Sequence, residues 1–141
     1  MWHGSLSTDA TLSIFPEKSH TWGAGLVGAA VRGIQSQGVI ANAKHWVLNN
    51  QETERYSVSS MADERTKREV YYPPFAAAAA AGVGSAMCSY NRIDGRYSCE
   101  NAEELSVLRE LGFDGWVMSD WGATHSLSLT QGLDTVSYTH L

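Results

Sequence analysis

Apolar and polar positions along the chain change period several times, and each change marks an element. Over residues 21–37, Leu26, Val27, Ala30, Val31 and Ile34 recur at helical spacing, which predicts an amphipathic helix ending near Gly38. Residues 39–46 form a short apolar run, read as a strand that delivers Lys44 and His45 at its end. Residues 49–61 are polar and read as a loop, long enough to be functional. Asp63 is the expected N-cap of a helix running to Tyr71 or Tyr72, with Glu64 in its first turn. Pro73 and Pro74 interrupt it, and Phe75 with the alanine run 76–81 resumes a helix that Gly82 ends. Residues 84–90 are the next strand, followed by a turn over 91–95. Residues 101–111 form an amphipathic helix with Leu105, Leu108 and Leu111 inward, stopped by Gly112. Trp116, Val117 and Met118, bounded by Gly115 and Gly122, make a third buried strand. Residues 1–20 have weak periodicity and read as irregular or poorly anchored.

Helix and strand thus alternate, the pattern of an α/β fold with a parallel sheet and helices outside it. In such units the strand ends share one rim. Here they carry Lys44-His45, Tyr90-Asn91 and Asp120-Trp121. That convergence is the strongest physical pointer to a site. A closed barrel would need about 250 residues, against the 141 present.

Composition narrows the function classes. A hydrophobic fraction of 43% and a charged fraction of 18% are those of an ordinary globular chain. A net charge of -5, with ten scattered Lys and Arg, argues against nucleic acid. No apolar run reaches the roughly 18 residues that span a bilayer, and the first residues show no signal-peptide pattern. Cys88 and Cys99 lack zinc-knuckle or CxxC spacing. They either close a small loop in an oxidising compartment or stand as unlinked thiols in a cytosolic protein.

Candidate chemistry centres on Asp120. A carboxylate leaving a buried strand sits on rigid backbone and faces the loops, where α/β folds place their chemistry. Trp121 beside it offers a flat wall for a sugar ring. The plainer alternative is a turn Asp that caps the next helix. Likewise Lys44-His45 alone reads as a surface pair, Met87 as core, and Glu52 with Arg55 as an ion pair closing a loop. His3, His20, His125 and His140 show no metal-ligand spacing, so no metal or cofactor is expected.

In order, the chain carries Gly38-Val-Ile-Ala-Asn-Ala-Lys-His-Trp46, Asn50-Gln-Glu-Thr-Glu-Arg55, Asp63-Glu-Arg-Thr66 and Tyr72-Pro-Pro-Phe75. Then follow Ala81-Gly-Val-Gly-Ser-Ala-Met-Cys-Ser-Tyr-Asn91, Ser98-Cys-Glu-Asn101 and Leu111-Gly-Phe-Asp-Gly-Trp-Val-Met-Ser-Asp-Trp-Gly122. This ordered set resembles glycoside hydrolase family 3, and within it the β-glucosidases. The resemblance implies a partial (β/α)8 TIM-like barrel of three to four βα units: residues 1–20 are poorly matched, 21–134 are a piece of the N-terminal catalytic barrel domain, and 135–141 are a tail unlike the family.

The resemblance also implies a retaining hydrolase that releases terminal non-reducing β-D-glucosyl residues from a β-glucoside or short β-glucan oligosaccharide. Asp120 would be the nucleophile. Lys44 and His45 would bind sugar hydroxyls, Met87 and Tyr90 would line the first subsite, and Trp121 would stack beside the nucleophile. Lys44 is further expected to help keep Asp120 ionised. The family's general acid/base would lie in a second domain beyond residue 141, so the chain alone is expected to be inactive. The upstream Asp and Arg of the first subsite have no counterpart in residues 1–20.

A β-xylosidase, another β-glycosidase of the family, or a non-catalytic sugar-binding module are the alternatives. The family's N-acetylglucosaminidases are disfavoured, because Lys44-His-Trp-Val-Leu-Asn49 replaces their Lys-His-Phe-Pro-Gly-His-like signature. The resemblance to secreted eukaryotic members favours an extracellular protein with Cys88 and Cys99 joined.

Overall fold

The structure, a computed structural model, describes residues 10–13, 20–126 and 129–136. The chain runs β1 (Ala10–Ser13), α1 (His20–Gln35), β2 (Ala41–Trp46), β3 (Ser59–Ser60) and α2 (Glu64–Thr66). A π-helical turn (Lys67–Tyr71) leads into α3 (Pro73–Ala80), β4 (Ser85–Cys88), β5 (Arg92–Ile93) and β6 (Arg96–Tyr97). A 3-10 turn (Ser98–Glu100), α4 (Ala102–Glu110) and β7 (Trp116–Ser119) follow, with a last 3-10 turn at Leu129–Gln131.

Four strands form one parallel sheet in the order β1-β2-β4-β7. The α/β reading therefore holds. One expectation does not: residues 10–13, whose weak periodicity predicts irregular chain, pair with β2 from Ala10↔Ala41 to Ser13↔Lys44. The short run Ala-Thr-Leu-Ser has only one large apolar residue, too little for a periodic signal. Residues 1–9, 14–19, 127–128 and 137–141 lie outside the described residues. At the other edge, Thr135 makes a parallel bridge to Met118. Its N–H donates to the carbonyl of Val117 and its carbonyl accepts from Ser119.

The two faces of the sheet differ in chemistry. Ala41, Ala43, Ala86 and Val117 are almost fully buried and form one core with Val31, Phe75, Ala78, Leu105 and Leu108. Small residues on the sheet and the alanines of α3 let the helices sit close. On the other face, Lys44, Met87 and Met118 lie in register across three strands. Lys44, Trp116 and Met118 remain partly exposed there. Asn42 Nδ2 approaches Met118 Sδ at 3.5 Å, and its Oδ1 is buried without a partner.

Local signals act as expected at the helix starts. Asp63 is extended (φ -65, ψ 158) and its Oδ1 accepts from the Thr66 N–H at 2.9 Å. Pro73 opens α3, where a missing N–H costs nothing. The turn over 91–95 is a hairpin, β5 antiparallel to β6, with Asp94 and Gly95 at φ 50 and 86. Asp-Gly is the pair this tight turn favours. β5 also pairs with β3, so the polar loop 49–61 contains a short strand.

A buried ion pair ties these parts together. Lys67 Nζ meets Glu104 Oε1 at 2.6 Å and the turn residue Asp94 at 3.0 Å. Tyr72 donates its hydroxyl to Glu104 Oε2 at 2.9 Å, and the Trp46 indole N–H donates to the Glu104 carbonyl at 3.1 Å. Trp46 in turn stacks on Tyr72 and meets Phe75 edge-on. Burial works against the Lys67 charge, but Glu104 and Asp94 outweigh it and raise its pKa.

Candidate active site

Three strand ends meet where the alternation placed a common rim. β7 ends at Ser119, and Asp120 leaves the sheet with its N–H donating to the Cys88 carbonyl at 3.3 Å. The chain then turns at once. The Asp120 carbonyl accepts from Ala123 at 3.1 Å, and Gly122 takes φ 69, a value natural to glycine. Asp120 thus has both its backbone N–H and its carbonyl hydrogen-bonded.

Its carboxylate is held at both oxygens. Oδ2 lies 2.8 Å from His45 Nε2, and Oδ1 accepts from the Trp121 N–H at 2.7 Å. The Tyr90 hydroxyl faces the same carboxylate. Burial pushes the Asp120 pKa up, but His45, the Trp121 N–H and Tyr90 together hold it below the usual carboxylate range. Its side chain keeps 13% of its surface exposed, so the anion can still be reached. Tyr90 moves the other way: burial, and then Asp120, raise its pKa, so its phenol remains a proton donor. A reachable, ionised, hydrogen-bonded carboxylate can serve as a nucleophile or a general base.

His45 reaches this point through an irregularity in β2. The pairing of β2 with β4 shifts register between Lys44 and Trp46, and the Lys44-His45 and Trp46-Val47 peptides are cis. Lys44 stays in register with Met87 on the open sheet face. It makes no ion pair among the described residues. The ion-pair contact with Asp120 is made by His45 rather than by Lys44. Met87 is buried at 8% exposure, while Trp121 is 65% exposed and touches Asp120 through its backbone.

The loop before α2 adds a group the sequence did not single out. Arg55 pairs with Glu52 at 2.6 Å, as the spacing suggested, but its guanidinium also lies over the rings of Tyr90 (4.5 Å) and Tyr56 (4.9 Å). Tyr56 meets Tyr90 edge-on at 4.8 Å. Adjacency to Arg55 was the only signal for Tyr56. Behind the site, Cys88 and Cys99 form a disulfide with Cα atoms 5.2 Å apart, joining β4 to the Ser98–Glu100 turn. Both are fully buried.

His125 stacks on Tyr97 at 3.6 Å and lies apart from Asp120 in role, its N–H donating to Glu100 Oε1. Among the described residues no three His, Cys, Asp or Glu side chains converge as metal ligands. No described helix is long and apolar enough to cross a membrane.

Residues 15–139 match the model of the glycosyl hydrolase family 3 N-terminal domain. The probable beta-glucosidase L of Aspergillus terreus is 52% identical over 108 residues, covering 74% of this chain and 15% of that protein. A solved structure of DesR, a beta-glucosidase from Streptomyces venezuelae in complex with D-glucose, is 47% identical. It superposes with a TM-score of 0.77 over 81% of this chain and 15% of that one. The beta-D-glucoside glucohydrolase of Trichoderma reesei gives 44% identity and a TM-score of 0.77, over 80% and 16% respectively. The chain thus spans about one seventh of the length of these relatives.

Proposed function

The chain belongs to glycosyl hydrolase family 3, and on that footing we propose that it bears the nucleophile of a retaining β-glucosidase. One observation carries the reading: Asp120 is rigid, reachable and held as an anion by His45, Tyr90 and the Trp121 N–H. An Asp120 oxygen attacks C1 of a terminal β-D-glucosyl residue, and the bond from C1 to the aglycone oxygen breaks. That oxygen takes a proton from a general acid outside these residues, and water then cleaves the glycosyl ester. Such a pair of carboxyls sits about 5 Å apart across the bond.

Lys44, His45, Met87, Tyr90 and Trp121 would form the first sugar subsite, with hydroxyl donors that tighten as positive charge develops on the sugar. The sheet face bearing Lys44, Met87, Trp116 and Met118 supports a larger barrel, in which it would face inward. The named β-glucosidase relatives and the glucose in one of their structures favour glucosides. The buried disulfide favours an extracellular setting. A β-xylosidase would use the same Asp120, whereas a non-catalytic sugar-binding module would not.

The test uses the whole protein and a 2-deoxy-2-fluoro-glucoside with a good leaving group, followed by peptide mapping. A covalent label on Asp120 supports retention, the nucleophile and glucose acceptance together. Hydrolysis of aryl glucosides with no label on Asp120 moves the nucleophile elsewhere. No label and no hydrolysis favours the binding module.

A further inference from the structure

We propose that Tyr56 is a positioning residue that, with Arg55, fixes the Tyr90 ring so that its hydroxyl faces Asp120. This rests on the reading of Asp120 as nucleophile. Tyr90 faces the carboxylate from the end of a long side chain, so its effect on Asp120 depends on what fixes its ring.

Two groups do so. The Arg55 guanidinium lies over the ring at 4.5 Å, and the Tyr56 ring meets it edge-on at 4.8 Å. Arg55 is itself fixed, with Nη1 on Glu52 at 2.6 Å and Nη2 donating to the Tyr56 hydroxyl at 2.9 Å. Tyr56 therefore touches Tyr90 directly and also locks the cation that covers it. Its backbone is anchored too: its carbonyl accepts from the Tyr97 hydroxyl, and the Val58 carbonyl accepts from Arg92 of the hairpin.

Burial does not explain this residue, since Tyr56 is 52% exposed. An exposed tyrosine with both ring and hydroxyl engaged inward serves its neighbours rather than the core. A cation over a phenol ring also strengthens the phenol as a donor, and Arg55 draws the Tyr90 pKa down against the effects of burial and Asp120. The groups facing Asp120 are His45 from β2, Tyr90 from the segment after β4, and the Trp121 N–H. Those facing Tyr90 are Asp120, Tyr56 and Arg55, with Glu52 behind.

The experiment measures the pH dependence of labelling of the whole protein by dinitrophenyl 2-deoxy-2-fluoro-β-D-glucoside. That leaving group needs no protonation, so the acid limb reports the nucleophile. Tyr56→Ala is expected to move the acid limb up by about half a pH unit, or about threefold in proton affinity. Tyr56→Phe, which keeps the ring and loses the hydroxyl, is expected to move it less. A Tyr56→Ala limb that coincides with that of the unaltered protein overturns the proposal, as does a uniform loss of rate at every pH. A label on another carboxylate overturns the reading of Asp120, and this role falls with it.

Discussion

His45 Nε2 lies 2.8 Å from Asp120 Oδ2, although one residue belongs to β2 and the other directly follows β7, strands that are not neighbours in the sheet. β4 runs between them, and its continuation supplies Tyr90 to the same carboxylate. The contact forms at the register shift of β2 against β4, where His45 itself has no partner in β4.

His45→Ala removes a donor that lowers the Asp120 pKa. The acid limb of kcat/KM in the whole protein should therefore move toward neutral pH, by about one unit for a hydrogen bond to a charge. The same shift has a stability side. A depressed folded pKa stabilises above the unfolded value near 3.9, and the gain is lost as pH falls through the folded pKa. Acid unfolding of His45→Ala should consequently depend less steeply on pH in that range. Coincident acid limbs in the two proteins would refute the assigned role of His45.

Lys67→Met leaves Glu104 buried at 5% exposure without its cation. Loss of one partner of such a pair costs about 3–5 kcal/mol. The double variant Lys67→Met with Glu104→Leu should recover a good part of it, because no lone charge remains. Denaturant midpoints of the single and double variants check this.

Gly115→Ala places a Cβ 2.3 Å from the Gly84 carbonyl oxygen and 2.8 Å from the Phe113 ring. Backbone cannot yield as a side-chain end can. The register of β4 with β7 starts beside it, at Ser85↔Trp116, so strain there loosens the site strand. The expected loss is about 1–3 kcal/mol, read as a lower unfolding midpoint, with labelling of Asp120 slowed.

Replacing both Cys88 and Cys99 by Ser opens a loop with a sequence separation of 11. The unfolded chain gains freedom worth about 3 kcal/mol on the entropy model. In the intact protein, mild reductant should leave the bond closed until unfolding, since both residues are fully buried. Thiol counting before and after denaturation tests this.

Much of the fold was legible in the residues because helix and strand periods differ and their stops are chemically distinct. Asp63, Pro73 and Gly112 each act where their chemistry requires. β1 was not legible, since four mostly small residues carry no period. Nor was the choice between Lys44 and His45, because adjacent residues on a regular strand point to opposite faces and only the register shift decides. Lys67 was hidden for another reason. It stands among Arg65 and Arg68, which pair on the surface with Glu69 and Glu64, while it alone turns inward.

The convergence on Asp120 means that the acidity of one carboxyl records whether three distant stretches of chain have come together. Without His45 from β2 and Tyr90 from the segment after β4, only the adjacent Trp121 N–H would be left to counter the effect of burial on that carboxyl.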